Sequence, residues 1–152
     1  MVNRERVRML VDALRSGEYR QGTGMLLRSD RHCCLGVACD VADKNGLPLI
    51  RQELDNGMVM FALPGTPPYA PTPEVWRAWE GRVLPEAVRE WYGLPNDNPD
   101  LFFRHTEEEE NPFPGRVQWE ATELNDQLGL GFDTIADAFE ATYLKEEDDG
   151  GK

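Results

Sequence analysis

The sequence predicts an α+β fold dominated by helix, with about five helices and one or two small β-hairpins in a single domain. Three observations carry this. Apolar residues recur at helical spacing in several separate segments, beginning with Val7, Leu10, Val11 and Leu14. Two alternating apolar runs flank Asp55-Asn56-Gly57, the pattern of a hairpin. The chain has 152 residues, 40% hydrophobic and 29% charged, which is the size and composition of one globular domain.

The first helix is amphipathic. Its apolar stripe faces a core, its arginines and Glu5 lie on the other side, Asn3 is placed to cap it and Gly17 to end it. The short apolar run Met25-Leu26-Leu27, the polar step Ser29-Asp30 and Arg31-His32-Cys33 then predict a small hairpin. From Cys34 the period changes to helical. Cys34, Val37, Ala38, Val41 and Ala42 form one stripe, Leu35 and Cys39 widen it, and Asp40, Asp43 and Lys44 take the remaining face up to Gly46. Residues 49–54 and 58–63 form the second hairpin.

Five prolines between Pro64 and Pro73 read as an extended connector, residues 64–73. Thr72 and Pro73 start a helix that carries Val75, Trp76 and Trp79, and Pro85 starts another that presents Val88 and Trp91 and stops at Gly93. Residues 93–115 are rich in Pro, Asn and acid, including Glu107–Glu110, and are expected to be a mobile acidic loop. Val117, Ala121, Leu124 and Leu128 share a helical face, and Asp133 is placed to cap a last helix with Ile135, Ala138, Phe139 and Thr142. The globular domain is thus residues 1–144, with a frayed tail at 145–152.

Charge narrows the function classes. There are 16 basic and 28 acidic side chains, net −12, and 14 of the acids lie from Glu107 onward against only 3 basic residues. A cationic grip on nucleic acid spread over the whole surface is excluded, so no direct nucleic-acid binding is expected. No stretch approaches the ~20 apolar residues of a membrane span, and no membrane association is expected. Cys33, Cys34 and Cys39 are an odd set in one short cluster, which fits reduced thiols in a cytoplasm better than a disulfide framework.

The candidate chemistry centres on Cys33. At the start of a helix its thiolate would be stabilised by free N–H groups and by Arg31, and the helical stripe puts Cys33 at least partly exposed while Cys34 is buried. The catalytic partners are missing: His32 adjoins Cys33 on a strand and faces the other way, and His105 lies in the acidic loop. No catalytic set, no metal site with paired ligand spacings and no nucleotide-binding glycine motif is present, so no cofactor is expected. Asn125 and Asp126 either finish their helix locally or line a binding pocket with Gln21 and Cys33, four residues at element ends where a scaffold holds polar groups. Of the four tryptophans, most are expected in the core, and an exposed pair would serve as a partner anchor.

The elements Ser16-Gly17-Glu18-Tyr19-x-Gln21-Gly22, Cys33-Cys34-Leu35-Gly36-Val37-Ala38-Cys39-Asp40, Leu84-Pro85-x-x-Val88-x-x-Trp91, Leu124-Asn125-Asp126 and Phe132-x-x-Ile135-Ala136 occur in this order. Together they resemble an uncharacterised family of small proteins from bacteriophages and actinobacteria. The resemblance covers most of the chain outside residues 63–73 and 93–115. It implies a phage-type accessory protein in the host bacterial cytoplasm, and it supplies no catalytic residues. The leading expectation is a non-enzymatic protein that binds a host macromolecule or a small ligand. A cysteine-dependent enzyme using Cys33, and an acidic mimic of nucleic acid that blocks a host DNA-binding protein, are the alternatives.

Overall fold

Helix α1 (Arg4–Arg15) buries Val7, Leu10, Val11 and Leu14, and the side-chain oxygen of Asn3 accepts from the amide of Arg6 at 3.1 Å, so both the stripe and the cap follow the sequence pattern. A computed structural model describes residues 1–104 and 115–144. Glu107–Glu110, His105 and the 145–152 tail lie outside the described residues. The fold is α+β. The described residues form five α-helices, a π-helical turn and three small sheets in one domain.

Strand β1 (Arg20–Gln21) runs parallel to β3 (Arg31–His32), which pairs antiparallel with β2 (Leu27–Arg28) in the expected hairpin. Helix α2 (Cys34–Lys44) follows at once, and every residue from Cys34 to Ala42 is buried. The second hairpin joins β4 (Ile50–Glu53) to β5 (Val59–Ala62). Its turn is a three-residue loop, with Leu54 N donating to Met58 O at 2.8 Å and Gly57 N to Leu54 O at 2.9 Å. Only Gly57 of that loop has positive φ, because Asn56 uses its side-chain oxygen to hold the amide of Met58 instead of entering the left-handed region. Strand β5 is buried on both faces: Val59 and Phe61 enter the main core, and Met58, Met60 and Ala62 form a second cluster with Trp79.

The Pro-rich connector has no regular structure until α3 (Pro73–Trp76). Helix α4 (Glu86–Tyr92) ends at Gly93 as expected, but it buries Val88 and Tyr92, not Trp91. The Tyr92 hydroxyl donates to Ala38 O at 2.7 Å, and the half-buried Trp91 ring receives the Arg6 guanidinium at 4.3 Å.

Three expectations fail beyond this point. Residues 93–104 are not loop throughout, because β6 (Asp100–Phe102) pairs with β7 (Gln118–Glu120) and carries Leu101 into the core, where Leu94 is also buried. The segment read as helix from Val117 begins as that strand. Leu101 lies opposite Trp119, and the alternating burial of Gln118, Trp119 and Glu120 is a period of two that a partner strand makes favourable. The chain then turns through a π-helical stretch, Glu123–Gln127, into α5 (Phe132–Tyr143), whose N-cap is Gly131, with Asp133 inside the first turn. Helix α5 packs most extensively against α1. Arg15 reaches Asp137 at 2.6 Å and Glu140 at 2.9 Å across that contact.

Candidate functional site

The residues singled out in the sequence meet where β1, the start of α2 and the π-helical turn come together. Asn125 is 1% exposed. Its side-chain oxygen accepts from Gln21 Nε2 at 3.0 Å and from the amide of Cys34 at 3.1 Å, and its Nδ2 donates to Gly22 O at 2.9 Å and Asp126 Oδ1 at 2.7 Å. Those four bonds use the full capacity of an asparagine side chain. Gln21 spends its other proton on Leu130 O at 2.8 Å. Cys33, the N-cap residue of α2, makes no side-chain capping bond, so Asn125 caps the amide of Cys34 instead, from 91 positions further along the chain. Its role is therefore neither the finish of its own helix nor the wall of an open pocket. It is a tertiary cap that locks three segments together.

Cys33 departs from expectation. It is 2% exposed, not partly open. Burial pushes its thiol up to about 11, the charge of Asp126 adds to that, and the amides of Leu35 and Gly36 offset only part of it. The reason is the β2–β3 hairpin lying over the start of α2: Cys33 N donates to Leu26 O at 3.1 Å, and a Cβ on Gly36 would stand 1.8 Å from that same oxygen. Glycine is required at position 36 because backbone occupies the space of a side chain. Cys34 and Cys39 are fully buried, and burial raises both thiols well above their ordinary range. Of the four predicted residues, Gln21 also lines an open cleft of about 450 Å³, which Cys33, Asn125 and Asp126 do not line.

A second polar centre escapes the sequence reading. Asp40, placed there on the outer face of its helix, is 7% exposed. The Tyr19 hydroxyl donates to its Oδ2, Lys44 Nζ lies 3.0 Å from the same oxygen, and Arg51 donates to Oδ1 at 2.7 Å. Burial acts to raise the Asp40 carboxyl, but these three bonds outweigh it and hold it below its ordinary value. Burial, and then Asp40, push Tyr19 up to about 12. His32 packs edge-on against Tyr19 at 5.1 Å, and both its ring nitrogens are buried without a partner among the described residues. Burial therefore lowers its pKa. The available signal was the Asp40–Lys44 spacing of one helical turn; Arg51 comes from a hairpin strand that no local pattern links to it.

The second cluster opens to the surface. Leu54, Met58, Met60, Tyr69, Trp76 and Trp79 line a groove of about 370 Å³, with Arg77, Glu80 and Arg82 also on its walls. Trp76 is 44% exposed, whereas Trp79 and Trp119 are buried, so a single tryptophan and not a pair stands out among the four. The groove is held in shape by its connector: Trp79 Nε1 donates to Pro67 O at 3.0 Å, and Gln52 Oε1 accepts from the amide of Tyr69 at 2.8 Å. Arg77 lies over the Trp76 ring at 5.7 Å.

Comparison with known proteins finds one family model, described as Domain of unknown function (DUF8296), that matches residues 2–143. No curated protein and no solved structure matches the chain.

Proposed function

The chain belongs to the DUF8296 family, and we propose that this member is a non-enzymatic binding protein that docks a partner protein in the Met58–Trp76–Trp79 groove. In this reading it is a phage-type accessory protein at work in the host bacterial cytoplasm, the setting implied by the family resemblance of its motifs. The observation that carries the reading is the half-exposed Trp76 beside two methionines in a groove with fixed walls. Large aromatic anchors in apolar depressions dominate interface energies, and methionine adapts its shape to a partner's side chains. Flanking arginines and a glutamate would set the partner's orientation.

The alternatives have less support. A catalytic Cys33 would need a thiolate near neutral pH, and burial holds this thiol at about 11. An acidic mimic of nucleic acid would need carboxylates free to face a basic groove. Among the described C-terminal residues, Asp137 and Glu140 are paired with Arg15 and Glu123 with Arg116, which leaves Glu120 and Asp133 as exposed carboxylates without an ion pair, too few for a continuous acidic face. No helix among the described residues is long and apolar enough to cross a membrane.

The test compares the full chain with Trp76→Ala as bait in bacterial lysate, washed at low and high salt. The expected result is a partner that resists high salt and is lost with Trp76→Ala, while circular dichroism shows the variant folded. A partner released by salt and indifferent to Trp76 would overturn the groove reading in favour of the acidic surface. Recovery of no partner at all would overturn it in favour of a small ligand.

A further inference from the structure

The β1-β3-β2 sheet places three arginines in one row. Arg20 lies opposite Arg31 in the parallel pair, and Arg28 lies opposite Arg31 in the antiparallel pair. Residues directly opposite in a ladder project to the same face with Cβ atoms about 5 Å apart, and like charges there are destabilising. The row holds one counter-charge: Asp30 pairs with Arg20 at 2.8 Å. Neither Arg28 nor Arg31 has an ion pair or a side-chain hydrogen bond with any described residue. This is unusual in a chain with net charge −12, where carboxylates are plentiful.

Both arginines open onto the cleft of about 450 Å³ whose other lining residues are Gln21, Gly22, Thr23 and Ser29. None of the six is acidic. The two hydroxyls make no hydrogen bond with described residues, and the Gln21 amide is held in place by its bonds to Asn125 and Leu130. The cleft thus combines two unneutralised guanidinium forks and two free hydroxyls in a volume suited to a small molecule, whereas both protons of the Gln21 amide are already spent.

We propose that this cleft binds a phosphoryl group, free or carried as a small phosphomonoester, between Arg28 and Arg31. Two guanidinium groups carry two positive charges, which one carboxylate neutralises only by half, and a dianionic phosphoryl group with three terminal oxygens matches them in charge and accepts from both forks. Binding neutralises the cross-strand repulsion, so the sheet is most stable when the site is filled. The site is separate from the groove at Trp76, and its test does not depend on that reading.

The full chain is titrated calorimetrically with inorganic phosphate and, separately, with AMP in phosphate-free buffer, alongside Arg28→Gln, Arg31→Gln and Trp76→Ala. The expected result is saturable binding, weakened about tenfold or more by either arginine change, as loss of a charge-assisted contact requires, and unchanged by Trp76→Ala. Equal affinity for the two probes identifies the free anion as the ligand, and tighter AMP binding identifies a carried phosphoryl group. Without ligand, both arginine variants keep or raise the wild-type melting temperature, because each removes a like charge. No saturable heat with either probe overturns the proposal, and so do heats that both arginine variants leave unchanged. A single-stranded oligonucleotide bound more tightly than AMP also overturns it, since the cleft would then track a nucleic-acid backbone.

Discussion

Replacing Asn125 by alanine removes four hydrogen bonds at once: from Gln21 Nε2, from Cys34 N, to Gly22 O and to Asp126. A typical bond contributes about 0.5–1.5 kcal/mol net, and a buried amide or carbonyl left unpaired costs roughly 1–3 kcal/mol. The amide of Cys34 heads a buried helix, so it bears the larger penalty, whereas Gln21 and Asp126 are half-buried and recover water. The expected destabilisation is about 3–5 kcal/mol, which for a domain of this length lowers the melting temperature by roughly 6–20 °C. Urea unfolding followed by circular dichroism measures it, with the slope m unchanged if both end states keep their extent. Asn125→Asp sharpens the test. It keeps an acceptor for Cys34 and Gln21 but turns a carboxylate oxygen toward Gly22 O and Asp126, so it is at least as destabilising at neutral pH, and acidification partly relieves it. A loss below about 1 kcal/mol for Asn125→Ala would refute the view that this residue is the tertiary cap of α2.

Gly36, His32 and Asp40 give three further expected outcomes. Gly36→Ala gains about 1 kcal/mol of helix propensity but puts a methyl 1.8 Å from Leu26 O; overpacking against backbone outweighs that gain, and denaturant unfolding should show a net loss of about 2 kcal/mol, with net stabilisation as the opposing result. For His32, whose folded pKa lies below its ordinary 6.5, the unfolded chain takes up the proton first, so stability declines as pH falls from 6.5 to the lowered folded value and then levels. The Asp40 carboxyl, also lowered, contributes stability above its ordinary 3.8 that is lost as pH falls through its folded value. His32→Phe should abolish the first decline and keep the second; an identical pH profile would show that His32 is hydrated and not buried.

The elements legible in the sequence are those whose pattern closes locally. The stripe of α1 with its Asn3 cap, the run from Cys34 to Gly46, the hairpin around Asn56-Gly57 and the stop at Gly93 each depend on neighbours within a few positions. Periodicity and capping report such interactions directly. The joining of Gln21, Asn125 and Asp126 was legible only as an expectation, because polar residues at element ends are often brought together, while nothing local tells an open pocket from a saturated junction.

What tertiary structure alone decided is whatever depends on a distant partner. Gln118–Glu120 is a strand because β6 supplies its hydrogen bonds and Leu101 faces Trp119; helical spacing of apolar residues in the same segment describes an alternative without that partner. Cys33 is buried because Leu26 backbone covers it through the gap at Gly36, which reverses the thiol shift expected from a helix start. Asp40 is enclosed because Tyr19 and Arg51, from two other segments, compensate its burial. In each case desolvation sets the outcome. The sequence shows which groups are polar or apolar, but the water a group keeps is determined only when segments far apart in the chain close over it.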